Sequence, residues 1–203
     1  MRVYLIRHAQ SENNVLTEDT YHLRKQDPDL TPLGYEQRDY LAEFLATASE
    51  AREDHFGITH LYTSAMHRTF LTTQPVAKAL TLQPEVWTDL HEKGGMFMRQ
   101  KDVITGYTGM TRSEILKTFP DYIMPDNVTE SGWYDTKMGM EEETHSLYRA
   151  LKVASELRKR AADSKEVLAL VSHAGFLDIL LKAIFDQLPS RPTTMSYYTF
   201  NTS

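Results

Sequence analysis

The sequence predicts an α/β fold, a three-layer α/β/α sandwich around a mostly parallel central sheet. Three observations predict it. Short apolar strand-like runs alternate with stretches whose apolar residues recur at helical spacing, as in strand–helix–strand crossovers. Clusters of charged and polar residues follow directly after those runs, where α/β sheets carry their ligands. The first strand ends in Arg7-His8 where turn residues such as Gly, Asp or Asn would be ordinary.

The elements follow in order. Arg2–Ile6 is the first strand, running into Arg7-His8 with Asn14 six residues on. Thr31-Pro32 is a cap followed by proline at the first helical position, and Leu33, Gln37, Leu41, Phe44, Leu45 and Ala48 continue at helical spacing. His60–Thr63 and Pro84–Trp87 are the next strands. Lys93–Gly109 and Pro120–Gly139 lack a strong pattern, and Met96–Tyr107 reads as a loop over a pocket mouth. Between them, Thr111-Arg-Ser-Glu114 is a capping box opening a short helix that Pro120 stops. Glu141–Ala162 is a long charged amphipathic helix carrying Leu147, Leu151, Ala154 and Leu157. Val167–Val171 is a further strand, and Ser196–Phe200 a last one.

Composition narrows the function classes. A chain of 203 residues, 41% hydrophobic and 25% charged, is read as one domain over 1–203 with a pocket-mouth insertion around 93–140. A net charge of −6 argues against a nucleic-acid partner. With no cysteine, neither disulfides nor thiol chemistry are available. No apolar run approaches a membrane span, and the first strand leaves no room for a signal segment, so cytoplasmic residence is expected. A homodimer is left open.

The pattern itself implies a site. Arg7-His8, Ser64–Arg68, Asp89–Glu92 and Ser172-His173 each follow a strand and should converge on one sheet edge. Two Arg, two His and one Glu together suit a dianionic phosphate.

These same residues carry a resemblance. The chain resembles the histidine phosphatase superfamily, the phosphoglycerate mutase-like proteins, which open on strand–Arg-His-Gly-Glu-(Thr/Ser)-x-x-Asn. Arg7, His8, Ser11 and Asn14 match, while Ala9 and Gln10 depart. The block Leu-Thr-x-x-Gly-x-x-Gln stands at Leu30-Thr31-Pro-Leu-Gly34-Tyr-Glu-Gln37. Ser64, Arg68 and Thr72 fit the third block, Leu90-His91-Glu92 the acidic one, and Ser172-His173-Ala174-Gly175 the closing one.

The resemblance implies hydrolysis of a small phosphate monoester through a phosphohistidine on His8. Arg7, Arg68, His173 and Asn14 would hold the phosphoryl oxygens, with Ser11 and Ala174 as further substrate contacts. Glu92 would protonate the leaving oxygen and then deprotonate the resolving water. Two Arg and two His compensate the phosphate charge, so no metal or cofactor is expected, and the partner is a small phosphorylated metabolite. Gly34 and Gln37 are read as fold elements. The remaining histidines, His91 among them, are expected at the surface or at helix ends.

The mutase branch usually follows its acid with Arg-His-Tyr-Gly, and Lys93-Gly-Gly-Met96 departs from that. Gly109-Met-Thr111-Arg-Ser-Glu114-Ile115, with Phe119-Pro120, instead resembles the bisphosphatase-like and broad phosphatase branches. Phosphoglycerate mutase-type transfer and a non-catalytic scaffold of the same fold are the alternative readings. Within 93–140, Arg99 and Lys101 are candidates for a second anionic group, and Tyr107 or Trp133 for stacking on an organic moiety.

Overall fold

The computed structural model describes residues 1–51 and 56–185, so the strand expected at 196–200 lies outside the described residues. In chain order the elements are β1 (Arg2–Arg7), α1 (Pro32–Ala51), β2 (His60–Thr63), α2 (His67–Leu80) and β3 (Glu85–Val86). There follow β4 (Phe97–Gln100), β5 (Val103–Gly106), α3 (Arg112–Thr118), α4 (Glu143–Asp163), β6 (Val167–Ser172) and α5 (Ala174–Phe185). The main sheet has the order β1-β6-β2-β3 and every pairing in it is parallel. Parallel neighbours need crossovers long enough to return to the starting edge, and the helices supply them.

Strand periodicity explains the layers. On β6, Leu168 and Leu170 face one way, into a core with Tyr62, Ala154 and Leu157 of α4, and Phe176 and Leu180 of α5. Ala169 and Val171 face the other way, against Leu61, Ala42 and Leu45 of α1, and Val76 and Ala77 of α2. Burying each large side chain of this kind contributes about 1.5–3 kcal/mol. The register sets Arg7 opposite Ser172 and Thr63 opposite Val171. Three strands therefore end flush, and the residues that follow them, His8, Ser64 and His173, emerge side by side.

Two sequence expectations are corrected. Met96–Tyr107 contains an antiparallel hairpin, β4 pairing with β5 from Phe97↔Gly106 to Gln100↔Val103. Its turn places Lys101 at φ 55°, a left-handed position usually given to Gly or Asn, so the turn left no signature. On α4, Ala154 and Leu157 are buried as expected, but Leu147 and Leu151 are 46% and 41% exposed. The inward face instead carries Ser146, Arg149, Ala150 and Val153. Two polar residues on the buried stripe disguised it. Among the described residues, no helix is long and apolar enough to cross a membrane.

Candidate active site

His8 leaves β1 with its backbone N–H donating to the Ser172 carbonyl at 2.9 Å, which continues the β1–β6 ladder past the strand end. Its ring is buried, and Nδ1 lies 2.6 Å from the Ala9 carbonyl. Its Nε2 lies 3.2 Å from Nε of Arg68. A carbonyl only accepts and a guanidinium only donates, so Nδ1 carries the proton and Nε2 keeps its lone pair. Burial first, then the positive charge of Arg68, holds His8 well below its ordinary value. It is therefore a neutral imidazole with a defined tautomer.

The second histidine stands beside it. His173 is fully buried, its ring centroid 5.1 Å from that of His8. Its Nε2 pairs with the Ser64 hydroxyl at 2.9 Å, while Nδ1 has no hydrogen-bond partner among the described residues. Burial, Arg68 and His8 hold it well below its ordinary value too. Arg68 comes from the first turn of α2, and Arg7 from the exposed end of β1. The positive charges of both bear on His8.

Glu92 reaches the site from the turn after β3. Its Oε1 accepts the backbone N–H of Phe176 at 3.0 Å, in the first turn of α5, and that of Lys93 at 2.8 Å. A carboxylate at a helix N-terminus is favoured both by unpaired N–H groups and by the helix dipole. A Cβ on Gly175 would lie 2.7 Å from Glu92 Oε1, so only glycine lets the acid approach the helix this closely. Glu92 bears on the Arg68 guanidinium as a stabilising charge. The nearby acids are occupied elsewhere: Asp89 pairs with Lys152 at 2.8 Å, and Glu85 lies on β3.

Histidine, arginine and glutamate thus meet at the sheet edge in the order that the sequence blocks predict. The family model for the histidine phosphatase superfamily, branch 1, matches residues 3–203. The chain belongs to that superfamily. Among curated proteins, none matches by sequence. Solved phosphatase structures share the fold. The ecdysone phosphate phosphatase of Bombyx mori, in complex with tungstate, is 18% identical with a TM-score of 0.63, covering 98% of this chain and 83% of its own. A putative alpha-ribazole-5'-P phosphatase from Escherichia coli is 19% identical with a TM-score of 0.52, covering 90% and 78%. A phosphoserine phosphatase from Entamoeba histolytica, in complex with 3-phosphoglyceric acid, is 17% identical with a TM-score of 0.51, covering 91% and 79%.

The departures of this superfamily member from the family pattern have local accommodations. Ala9 is buried, keeps a negative φ and donates its N–H to Thr72 Oγ1 at 3.0 Å, so alanine fits without strain where the family has glycine. Gln10 is held by the second block: its N–H donates to Gln37 Oε1 at 2.9 Å and its Oε1 accepts from Thr31 Oγ1 at 2.7 Å. A Cβ on Gly34 would lie 2.0 Å from the Gln10 carbonyl oxygen, so α1 can pack against the loop behind His8 only through glycine. Ser11 and Asn14 bond each other: the backbone N–H and the hydroxyl of Ser11 both donate to Asn14 Oδ1 at 2.9 Å. Ala174 opens α5.

The other candidate contacts lie on and beside the β4–β5 hairpin. Arg99 and Lys101 are exposed on the hairpin, with Arg99 near Met140 Sδ at 3.7 Å. Trp133 packs its ring against His91 at 5.4 Å, and Tyr107 packs against Met66, Met96 and Tyr134. His91 stands at a helix end, as one of the two expected placements had it, capping the short 3-10 helix Thr88–Leu90, but it is buried there and not at the surface. A residue without a sequence signal is Asp27. It accepts the His67 backbone N–H at 3.0 Å and lies 3.9 Å from Arg68 Nη1. Burial pushes its carboxyl up to about 7, against the pull of Arg68. Asp27 also lines a cavity of about 550 Å³ with Gln26, Met96, Thr108, Met110 and Thr111. Among the described residues, no cluster of three or more His, Asp or Glu is placed to hold a metal ion.

Proposed function

We propose that this protein is a metal-independent phosphatase that hydrolyses a small phosphate monoester through a phosphohistidine at His8. The observation that carries the reading is the tautomer of His8. Nδ1–H is anchored on the Ala9 carbonyl and the Nε2 lone pair points to the guanidinium of Arg68, an anion's natural partner.

A phosphate arriving between Arg68, Arg7 and His173 takes the place of the Arg68–His8 hydrogen bond. Arg68 and Arg7 then donate to phosphoryl oxygens, and the unpaired nitrogen of His173 gains an acceptor. Nε2 of His8 attacks phosphorus while the bond to the ester oxygen breaks, and Glu92 gives that oxygen its proton. In the second half Glu92 takes a proton from water, the new hydroxide attacks phosphorus, and the P–N bond breaks to release inorganic phosphate and neutral His8. Two arginines supply the positive charge that the transition state needs, and neutral His173 a further hydrogen bond.

The test is phosphate release from an activated aryl phosphate and a panel of metabolite monoesters, with chelator present, for wild type and His8→Ala. Turnover by the wild type that is lost in His8→Ala is the expected result. Phosphoglycerate interconversion with little free phosphate would instead establish mutase chemistry, and a wild type inert toward every ester would point to a scaffold.

A further inference from the structure

Behind Glu92 lies an ionic network that the catalytic cycle above does not use. Arg149, on the buried face of α4, donates Nε to Glu141 Oε1 at 3.0 Å and Nη2 to Glu141 Oε2 at 2.6 Å. Both side chains are less than a tenth exposed. Its third nitrogen, Nη1, donates to two backbone carbonyls, Asp89 and His91, each at 2.7 Å. The carbonyl between them, Leu90, accepts the Ser172 hydroxyl at 2.6 Å. All three peptide carbonyls leading into Glu92 are thus tied down, two of them by one guanidinium. The face of Arg149 also lies 4.3 Å from the ring of Phe176, the residue whose N–H holds the Glu92 carboxylate.

A buried ion pair by itself is weak evidence of a stabilising role, because desolvation offsets its attraction. What distinguishes this one is where its remaining donor goes. Glu141 orients the guanidinium in a planar fork, and the fork spends its free edge on the turn that carries the acid. Glu141 also stands 3.7 Å from His91 Nε2, whose Nδ1 bonds the Thr88 carbonyl at 2.7 Å, so the same carboxylate packs on a side chain within that turn. Side chains that act through another residue in this way set geometry to a fraction of an ångström, which proton transfer requires.

We infer that Arg149, held by Glu141, is a positioning residue for Glu92 and thereby controls protonation of the leaving oxygen. This rests on Glu92 acting as the acid in the reading above. An activated aryl ester departs without a proton, whereas an alkyl ester needs one, so the two substrates separate positioning of the acid from general damage.

The experiment measures kcat/KM, which reports only the steps through departure of the leaving group, on an aryl and an alkyl phosphate, and vanadate inhibition, for wild type, Arg149→Lys, Glu141→Gln, Glu92→Gln and Arg149→Lys/Glu92→Gln. Lysine keeps the charge but has no fork to bridge a carboxylate and two carbonyls. General acids contribute about 10²–10⁴-fold, so a displaced one should cost Arg149→Lys roughly 10- to 100-fold on the alkyl ester. The aryl ester should change by no more than about threefold, with vanadate affinity retained and little further loss once Glu92 is already Gln. Equal losses on both esters, or losses that multiply in the double variant, would overturn the inference while leaving the phosphatase reading in place. A wild type inactive on both esters would instead overturn that reading, and the inference with it. Should Arg149→Lys not fold, as judged by circular dichroism, Glu141→Gln carries the same comparison.

Discussion

Acidifying the protein from about pH 7.5 to about pH 5.5 should reveal an opposition between two kinds of buried group. His8 and His173 are held neutral well below the ordinary histidine value of 6.5. As pH falls through 6.5 the unfolded chain takes up protons that the folded chain refuses, so stability is full above that value and is lost below it. His67 and His91, also held below that value by burial, add to the same loss. Asp27 has the opposite sign. Its carboxyl keeps a proton up to about 7 in the folded chain against 3.8 ordinarily, so acidification stabilises the fold through this residue. Over the same interval that returns about 2 kcal/mol. Asp27→Asn should therefore lose about 2 kcal/mol more than the wild type over this interval. Urea unfolding followed by the fluorescence of the two tryptophans measures both. The readout is the change with pH, since the substitution also shifts the baseline. An Asp27→Asn protein whose stability is no more pH-dependent than the wild type, or one that gains stability on acidification, would refute the reasoning.

Two further outcomes follow from the site. Because attack needs neutral His8 and the empty site holds that group well below 6.5, the acid limb of kcat/KM should lie below the ordinary histidine range. A kcat/KM profile on an aryl phosphate, with a limb at or above pH 6.5, would contradict it. Gly34→Ala forces a methyl group to within 2.0 Å of the Gln10 carbonyl oxygen, so α1 or the loop after His8 must move. A loss of about 1–3 kcal/mol is expected from overpacking of this kind. Thermal melts check it, and an unchanged melting temperature would show that the loop yields freely.

The legibility of this protein divides along a physical line. Residues whose neighbours in space are also neighbours in a strand register could be read directly. Arg7-His8, Ser64 and Ser172-His173 follow three strands that end flush, so their convergence follows from topology. Gly34 and Gln37 were legible as fold elements, although their target, the Gln10 backbone, was not. Asp27 escaped because it sits in an irregular loop, where no periodicity announces what a side chain faces. The hairpin β4–β5 escaped because Lys101 occupies its left-handed turn position.

The sequence alone determined the α/β class, the four strands of the main sheet and the charged clusters that follow them at its edge, because hydrophobic period and strand-end placement are local properties. Only the tertiary structure decided the tautomer of His8, the seat of Glu92 on the first turn of α5, and the buried Arg149–Glu141 pair behind it. The first depends on a lone pair's direction, the second on residues 84 apart, and the third matters through carbonyls 58 and 60 residues from Arg149. Arg149 shows why: the sequence pattern describes α4 only as charged and amphipathic, and only the contacts of Arg149 with the carbonyls of Asp89 and His91 reveal what it holds.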